Sequence, residues 1–405
     1  MHSVKEAETI ILDRIQPVAE RETVPRDRSP GRILAEPIRG EFDFPYEDNS
    51  AMDGYAVRYG DVESASTDNP VSLTIIEEIP AGKAPSKSIH PGETARIFTG
   101  AIVPDGADTI VMQENTRREG DRVLIFSPPD RAGTFVRKRG AFYRSGDLLL
   151  SANTPINAPE MAVLATAGCI EVPVFRRPRV AIFSTGDELV NPGEPLQTGR
   201  IVDSNRHALT AFVTSIGAIP IPLGIVRDNP DDLRETMQKA IDSADIVLST
   251  GGVSVGDYDY IEKLLEELGG EIHIRSVAIQ PGKPLTVATF PNNCLYFGIP
   301  GNPVSALVTC WRFVRGAIGK LSGRSDYQIQ FRSAIARDPL KSKGEREVYF
   351  WGRVEIVNGM YEFHLAPGQY NSANLINLAG TNALAVLPKG RSIAKEGETV
   401  EILLV

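Results

Sequence analysis

The sequence contains few of the residues on which whole classes of function depend. Its three cysteines, Cys169, Cys294 and Cys310, fit neither a disulfide framework nor a cysteine-rich metal site. Its five histidines share no loop and no metal-ligand spacing. No CxxC, HExxH or Walker-type lysine loop is present, and no Ser-His-Asp set stands out. We therefore expect buried thiols in a reducing compartment.

An excess of positive charge and long apolar runs are also missing. The formal net charge is −9, which argues against a nucleic-acid binder. No run approaches the roughly 18 apolar residues of a membrane span. The first residues resemble neither a signal peptide nor a transit peptide. A cytoplasmic protein with no membrane or nucleic-acid partner is expected.

The patterns along the 405 residues predict a multidomain α/β plus β fold. Helical spacing at residues 3–18 and 159–167 flanks short strands with glycine and proline turns at residues 71–136, which indicates a small β domain inserted into a helical one. Strands and helices alternate through residues 178–325, which is typical of a doubly wound parallel sheet. Residues 326–405 read as a small C-terminal β domain.

Four loops within residues 180–304 carry small residues, carboxylates and a lysine at the carboxyl ends of strands. The glycine loop after Thr250 is typical of an anion cradle built from backbone N–H groups, although a tight turn also needs glycine. Carboxylates on neighbouring loops would repel a phosphate unless a cation such as Mg²⁺ bridged them. Alternatively, Asp187 and Glu188 form an exposed acidic turn that binds nothing. Lys283 likewise is either a positive charge that binds an anion or a solvated lysine in a turn. Asn302 and Pro303 are the residue types expected at the N-cap and at the first position of a helix, so their presence is explained without any ligand.

Five segments, in order and spread over nearly the whole chain, resemble the signature motifs of the MoeA family. These proteins are molybdopterin molybdenumtransferases, to which the gephyrin E domain is also similar. The segments are DNSAMDGYAV at residues 48–57, STGDEL at 184–189, STGGVS at 249–254, PGKP at 281–284 and PGNPVS at 300–305.

The resemblance implies four domains in an elongated homodimer. Domain I, residues 1–43 and 141–177, would be the helical dimerisation part, and domain II, residues 44–140, the inserted β domain. Domain III, residues 178–325, would bind molybdopterin on an adenylyltransferase-like sheet. Domain IV, residues 326–405, would be a C-terminal β barrel. The active site would be shared across subunits, so residues 48–57 would complete the partner's site.

The reaction implied by the resemblance takes adenylylated molybdopterin and molybdate to molybdenum cofactor and AMP, with Mg²⁺ assisting. Other molybdenum cofactor biosynthesis proteins are the expected protein partners. Carried over by motif, the catalytic residues are Asp259, Asp257, Asp53 and Glu188, and the metal ligands are Asp187, Glu188, Asp257 and Asp259. The substrate-binding residues are Ser50, Thr99, Thr185, Gly251, Gly252, Ser254, Asp228, Lys283, Pro300, Asn302, Ser305, Arg346 and Arg353.

The C-terminal domain departs from the family pattern. The family commonly has an Arg-Glu-x-x-Arg-like strand, and here Phe350 stands where the second arginine is expected. Arg353 follows three positions later, on the opposite face of a regular strand. It could substitute only through a bulge at Gly352. The serine-rich loop of the family is reduced to one serine, Ser372.

Two other functions are compatible with parts of the sequence. The α/β domain alone would suit a molybdopterin adenylyltransferase, which would release pyrophosphate from ATP. The similarity to the gephyrin domain would suit a scaffold that anchors partners without catalysis. The additional domains and the 48–57 motif favour the molybdenum-inserting transferase.

Overall fold

The computed structural model describes residues 1–251 and 258–405, which form two compact units. The large unit comprises Met1–Glu36, Ala152–Ala158 and Glu171–Val405, and the small unit comprises Pro37–Ser151 and Pro159–Ile170. The finer division into four domains stays a prediction. No helix among the described residues is long and apolar enough to cross a membrane.

The first part of the chain is rich in short strands. In order, its elements are α1 (Val4–Asp13), β1 (Arg21–Pro25), β2 (Ile38–Arg39), β3 (Asn49–Ser50), β4 (Gly54–Val57), α2 (Tyr59–Val62), β5 (Val71–Ile79), β6 (Glu93–Ile97), β7 (Thr109–Met112), β8 (Thr116–Glu119), β9 (Arg122–Ile125), β10 (Val136–Arg137), β11 (Leu148–Leu150) and α3 (Ala158–Thr166).

The middle part alternates strands and helices. Its elements are β12 (Glu171–Phe175), β13 (Arg179–Thr185), β14 (Leu189–Val190), β15 (Ile201–Val202), α4 (Asn205–Ser215), β16 (Ile219–Val226), α5 (Pro230–Ser243), β17 (Ile246–Thr250), α6 (Tyr258–Glu267), β18 (Glu271–Ile274), β19 (Ile279–Gln280), β20 (Thr286–Thr289), β21 (Leu295–Ile299), α7 (Pro303–Thr309) and α8 (Arg315–Leu321). A π-helical turn, Cys310–Val314, joins the last two helices.

The last part contains only strands and one short 3-10 helix, Leu375–Leu378. Its strands are β22 (Phe331–Ala336), β23 (Leu340–Lys341), β24 (Glu347–Val357), β25 (Met360–Leu365), β26 (Ala383–Leu387), β27 (Ile393–Ala394) and β28 (Thr399–Leu404).

A six-stranded sheet in the order β16-β13-β17-β21-β20-β18 forms the centre of the large unit. The first four strands are parallel, and β20 and β18 complete the sheet antiparallel. Only residues 290–294 connect β20 to β21, which is too short for a parallel crossover and fits a hairpin. Apolar side chains pack on both faces of the sheet. The predicted fold class is confirmed, with an antiparallel edge added.

Five C-terminal strands close into a barrel, as the family resemblance implied. The neighbours run β24-β25-β22-β28-β26, and β26 pairs again with β24. Closure leaves no free edge within the ring. The short strand β19 belongs to the preceding part of the chain and pairs in parallel with β24. The barrel is therefore joined by backbone hydrogen bonds to the segment that precedes residues 281–284.

Buried charge links the N-terminal helix to the barrel. Helix α1 begins with a capping box between Ser3 and Glu6. On the same helix, Glu8 accepts two hydrogen bonds of 2.8 Å from the guanidinium of Arg312, which is 4% exposed. Arg312 Nε also donates to the hydroxyl of Tyr349 at 2.8 Å. Burial holds the pKa of Tyr349 well above its usual range, so the hydroxyl stays neutral.

The small unit is built on a curled mixed sheet in the order β7-β4-β6-β5-β9-β8. Apolar side chains cover both of its faces. The interior strand β4 is buried along its whole length and follows directly from the segment of residues 48–53. This motif segment is therefore fixed at one end by the core of its own unit.

Candidate active site

The parallel strands of the large unit end together at a cavity of about 860 Å³. Strands β13, β17 and β21 end at Thr185, Thr250 and Ile299, and carboxyl ends of parallel strands are the usual ligand edge. The lining includes Thr185, Gly251, Pro300 and Asn302, which come from three of the five signature segments. Barrel residues Ala373 and Leu375 also line the cavity.

One side chain that sequence reasoning missed connects these strand ends. The amide nitrogen of Asn205 donates to Thr250 Oγ1 at 2.8 Å and to the carbonyl of Gly301 at 2.7 Å. Asn205 lines the cavity from the first turn of α4. It therefore fixes the end of β17 against the start of the loop that follows β21. In the sequence, the run Asp203-Ser204-Asn205 is typical of a helix cap, which accounts for Asn205 without any contact to other loops.

A buried carboxylate holds the neighbouring loop in place. Asp203 is 2% exposed and accepts hydrogen bonds from Ser184 Oγ at 2.9 Å and from Arg206 N at 3.1 Å. The side-chain Nε of Arg206 donates to Asp203 as well, and another of its nitrogens donates to Asn191. Asp203, one residue before the N-cap Ser204, thus accepts from the first turn of α4, while the Ser204 side chain makes no capping hydrogen bond. It also ties residues 187–203 to the end of β13.

The structure brings together two predicted substrate-binding residues, Thr185 and Asp228. The hydroxyl of Thr185 donates to Asp228 Oδ1 at 2.6 Å, and Thr185 is buried while Asp228 is exposed. Glu188 lines the cavity, and the neighbouring Asp187 is exposed. A Cβ on Gly186 would lie 2.6 Å from Glu188 Oε2, so glycine lets this carboxylate fold back over the turn.

Gly251 has a position that only glycine can fill. Its φ is +99°, and a Cβ would lie 2.0 Å from the carbonyl oxygen of Thr185. The predictions for Gly252, Ser254 and Asp257 lie outside the described residues. Asp259 falls in the first turn of α6, and its side chain also lies outside what the structure describes.

The described residues supply oxygen donors of the kind that Mg²⁺ requires, but only part of the predicted ligand set. Glu188 lines the cavity, and Asp228 and Thr185 share a hydrogen bond beside it. Within residues 1–251 and 258–405, no group of three or more His, Cys, Asp or Glu side chains could hold a metal ion. The metal ligand set stays a prediction that depends on Asp257 and Asp259.

The loop that carries Lys283 is fixed by the barrel and by α7. Arg346 donates to the carbonyl of Ile279 and to Gln280 Oε1, both at 3.1 Å. Gly282 has a φ of +108°, and its missing Cβ would lie 2.8 Å from Thr309 Oγ1. Lys283 itself is exposed. In this arrangement Arg346 positions the loop, and its predicted contact with substrate stays a prediction.

The start of α7 faces the barrel loop that contains Ser372. Asn302 occupies the N-cap position and Pro303 the first helical position, as predicted, but the Asn302 side chain makes no capping hydrogen bond. Its amide instead donates to Ser372 Oγ at 3.4 Å, and Val304 N donates to the Ser372 carbonyl at 3.2 Å. Ser305 is buried, at 4% exposure.

Strand β24 runs through Gly352 without a bulge. Residue 352 pairs in regular register with Leu365 on one side and Ala383 on the other. Phe350 is buried in the barrel core, while Arg353 is exposed and donates to the carbonyl of Gly380. The bulge that would let Arg353 take the place of Phe350 is therefore absent.

In the small unit, two other predicted residues are hydrogen-bonded to each other. Asp53 Oδ1 accepts from both the backbone N–H and the hydroxyl of Thr99, each at 2.8 Å. These two donors hold the pKa of Asp53 below its ordinary value. Ser50 is fully buried, and its hydroxyl donates to the carbonyl of Met52.

Replacing Thr99 with valine is expected to raise the pKa of Asp53 toward its ordinary value, because the hydroxyl donor is lost and the N–H remains. A carboxyl group whose pKa is lowered by folding stabilises the folded state at pH values above its ordinary pKa. This stabilisation is lost as the pH falls through the lowered pKa of the folded state. Carbon-detected NMR titration of Asp53 would measure the change. Thr134→Val is the control, because that hydroxyl bonds only its own turn. An unchanged Asp53 pKa in Thr99→Val would contradict the assignment.

Three family models match consecutive stretches of the chain. They are the "MoeA N-terminal region (domain I and II)" at residues 2–168, the "Probable molybdopterin binding domain" at 181–320 and the "MoeA C-terminal region (domain IV)" at 333–405. Together with the α/β sheet and its cleft, they define a multidomain protein of the MoeA type.

The relatives agree with these matches. A molybdopterin molybdenumtransferase of Nostoc sp. is 53% identical over 100% of this chain and 94% of that protein. The one of Bacillus subtilis is 34% identical over 96% of this chain and 91% of that protein. A crystal structure of a molybdopterin biosynthesis moeA protein from Pyrococcus horikoshii OT3 superposes with a TM-score of 0.86 at 30% identity, covering 100% of both chains. The chain belongs to the MoeA family.

Proposed function

We propose that this protein is a molybdopterin molybdenumtransferase that converts adenylylated molybdopterin and molybdate to molybdenum cofactor and AMP. The supporting observation is the cleft of about 860 Å³ at the sheet edge. Residues of the STGDEL, STGGVS and PGNPVS segments line it together. Its polar strand ends and its size suit a phosphate-bearing small molecule.

The proposed site residues divide into a group that binds anions and a group that assists breakage of the adenylate bond. Backbone N–H groups after β17 would hold phosphate. Lys283, presented on a loop fixed by Arg346, would neutralise charge on molybdate. Mg²⁺, held by Asp187, Glu188, Asp257 and Asp259, would supply charge stabilisation for the departing AMP. Asp228, bonded to Thr185, would help orient the substrate.

The active form is proposed to be a homodimer in which the 48–57 segment of one subunit completes the cleft of the other. The small unit has a cavity of about 650 Å³ lined by Phe44, Phe142, Tyr143 and Leu148, among others. Phe142 is 64% and Leu148 51% exposed, and exposed apolar surface of this kind marks interaction sites. Contact with other molybdenum cofactor biosynthesis proteins and a cytoplasmic location are further parts of the proposal.

The decisive experiment measures AMP release by the purified protein from adenylylated molybdopterin. Release that is stimulated by molybdate and Mg²⁺ is the expected result. Asp259→Asn should reduce it without lowering the melting temperature, because the clustered carboxylates repel one another when no cation is bound. Folded protein that releases no AMP would refute the transferase. Pyrophosphate formed from ATP and free molybdopterin would indicate an adenylyltransferase instead.

A further inference from the structure

One side of the cleft is apolar, although it borders the polar strand ends. Leu189, Ile201 and Val202 line it from the two-stranded ribbon β14–β15. Ile201 is 56% exposed and Val202 38%. Leu375, at 42% exposure, lines the same cavity from the barrel side. A cluster of exposed apolar side chains that lines a cavity is typical of a ligand-binding site.

The ribbon is held in position by backbone hydrogen bonds and by a buried carboxylate. Leu189 pairs with Ile201 and Val190 with Val202. Leu189 N donates to the carbonyl of Gly186, and Ile201 N donates to the carbonyl of Glu188. The buried carboxylate of Asp203 fastens the end of the ribbon to β13 and α4. A wall fixed in this way lowers the cost of ordering the loop when a ligand binds.

The chemistry of the lining limits what this wall can hold. Within the described part of the chain, the cavity is lined by no aromatic side chain. Contact with aliphatic side chains favours an apolar portion of a ligand through the apolar area that is buried. The neighbouring lining residues Thr185, Thr250 and Asn302 are polar. A ligand that spans both parts has an apolar portion joined to an anionic or strongly polar group.

We propose that Leu189, Ile201 and Val202 bind the planar nitrogen heterocycle of a phosphate-bearing ligand. The phosphate lies toward the strand ends. This inference deepens the proposed function, because adenylylated molybdopterin carries two such rings, adenine and the pterin. None of the predicted site residues lies on β14 or β15. The ribbon thereby becomes the ring-binding part of the cleft.

The test compares binding of three probes by isothermal titration calorimetry: AMP, neopterin monophosphate and inorganic phosphate. Replacing Ile201 with serine is expected to weaken binding of a ring-bearing probe roughly tenfold, because the apolar contact is lost. Binding of inorganic phosphate should not change. The matched control is Leu196→Ser, because Leu196 lies between the same two strands, is 63% exposed and does not line the cavity.

Each outcome decides the proposal. Weaker AMP binding alone identifies adenine as the ring, and weaker neopterin monophosphate binding alone identifies the pterin. Equal weakening of all three probes, unchanged ring binding, or no binding of either ring probe by the unmodified protein would overturn the proposal. Binding is measured without turnover, so a protein that releases no AMP but shows the Ile201 effect would refute the transferase and leave this inference standing.

Discussion

Gly251→Ala is expected to lower the rate of AMP release by roughly 100-fold or more, since a shift of about 1 Å at a site can have that effect. The new Cβ would lie 2.0 Å from the carbonyl oxygen of Thr185, and no rotamer can relieve a clash with backbone. The ends of β13 and β17 would have to separate. These ends carry Thr185 and Thr250, so the floor of the cleft would be distorted.

The matched control is Gly224→Ala in the edge strand β16 of the same sheet. Gly224 has a similar φ of +95°, but a Cβ there would meet nothing within 4 Å. Both variants should lose about 1–2 kcal/mol of stability from the positive φ. Only Gly251→Ala should lose activity, measured as AMP release at a temperature well below both melting points. Equal activity in the two variants would contradict the close approach of the strands.

Arg312→Met is expected to lower the free energy of unfolding of the large unit by about 3–5 kcal/mol. The change leaves the carboxylate of Glu8 and the hydroxyl of Tyr349 without their shared donor, while methionine keeps the apolar contacts of the arginine stem. Urea unfolding can be followed by the fluorescence of Trp311 and Trp351, which are the two tryptophans of the chain and both belong to the large unit.

A double variant separates the ion pair from the packing. Glu8→Gln removes the carboxylate that the methionine variant leaves unpaired, so Glu8→Gln with Arg312→Met should be more stable than Arg312→Met alone. A loss below about 1 kcal/mol in Arg312→Met would place this pair among ordinary surface ion pairs. That result would contradict a linking role for Arg312 between α1 and the barrel.

The sequence predicted those parts of the structure that depend on local pattern. Alternating strands and helices placed Thr185, Gly251 and Pro300 at one sheet edge, because parallel strands align their carboxyl ends. The role of Asn205 was missed because its partners, Thr250 and Gly301, are 45 and 96 residues away. Contacts at such separations leave no trace in spacing or periodicity.

The C-terminal domain shows the same limit. Strands were predicted there from composition, whereas closure of the ring depends on the pairing of β24 with β26, which turn signals do not encode. Arg353 as a replacement for Phe350 required a bulge, and glycine at 352 allowed that interpretation. The structure gives a different explanation for glycine at this position, because a Cβ at residue 352 would lie 2.0 Å from the carbonyl oxygen of His364.

The pairing of β19 with β24 has a consequence for the order in which the protein can mature. Arg346 and the Ile279 carbonyl that it contacts are 67 residues apart in the chain. During synthesis, the segment with Lys283 leaves the ribosome well before the strand that fixes it. The α/β layer can therefore assemble its helices and strands while the lysine loop still lacks its final support. The proposed oxyanion site at Lys283 would then be complete only after strand β24 has been made.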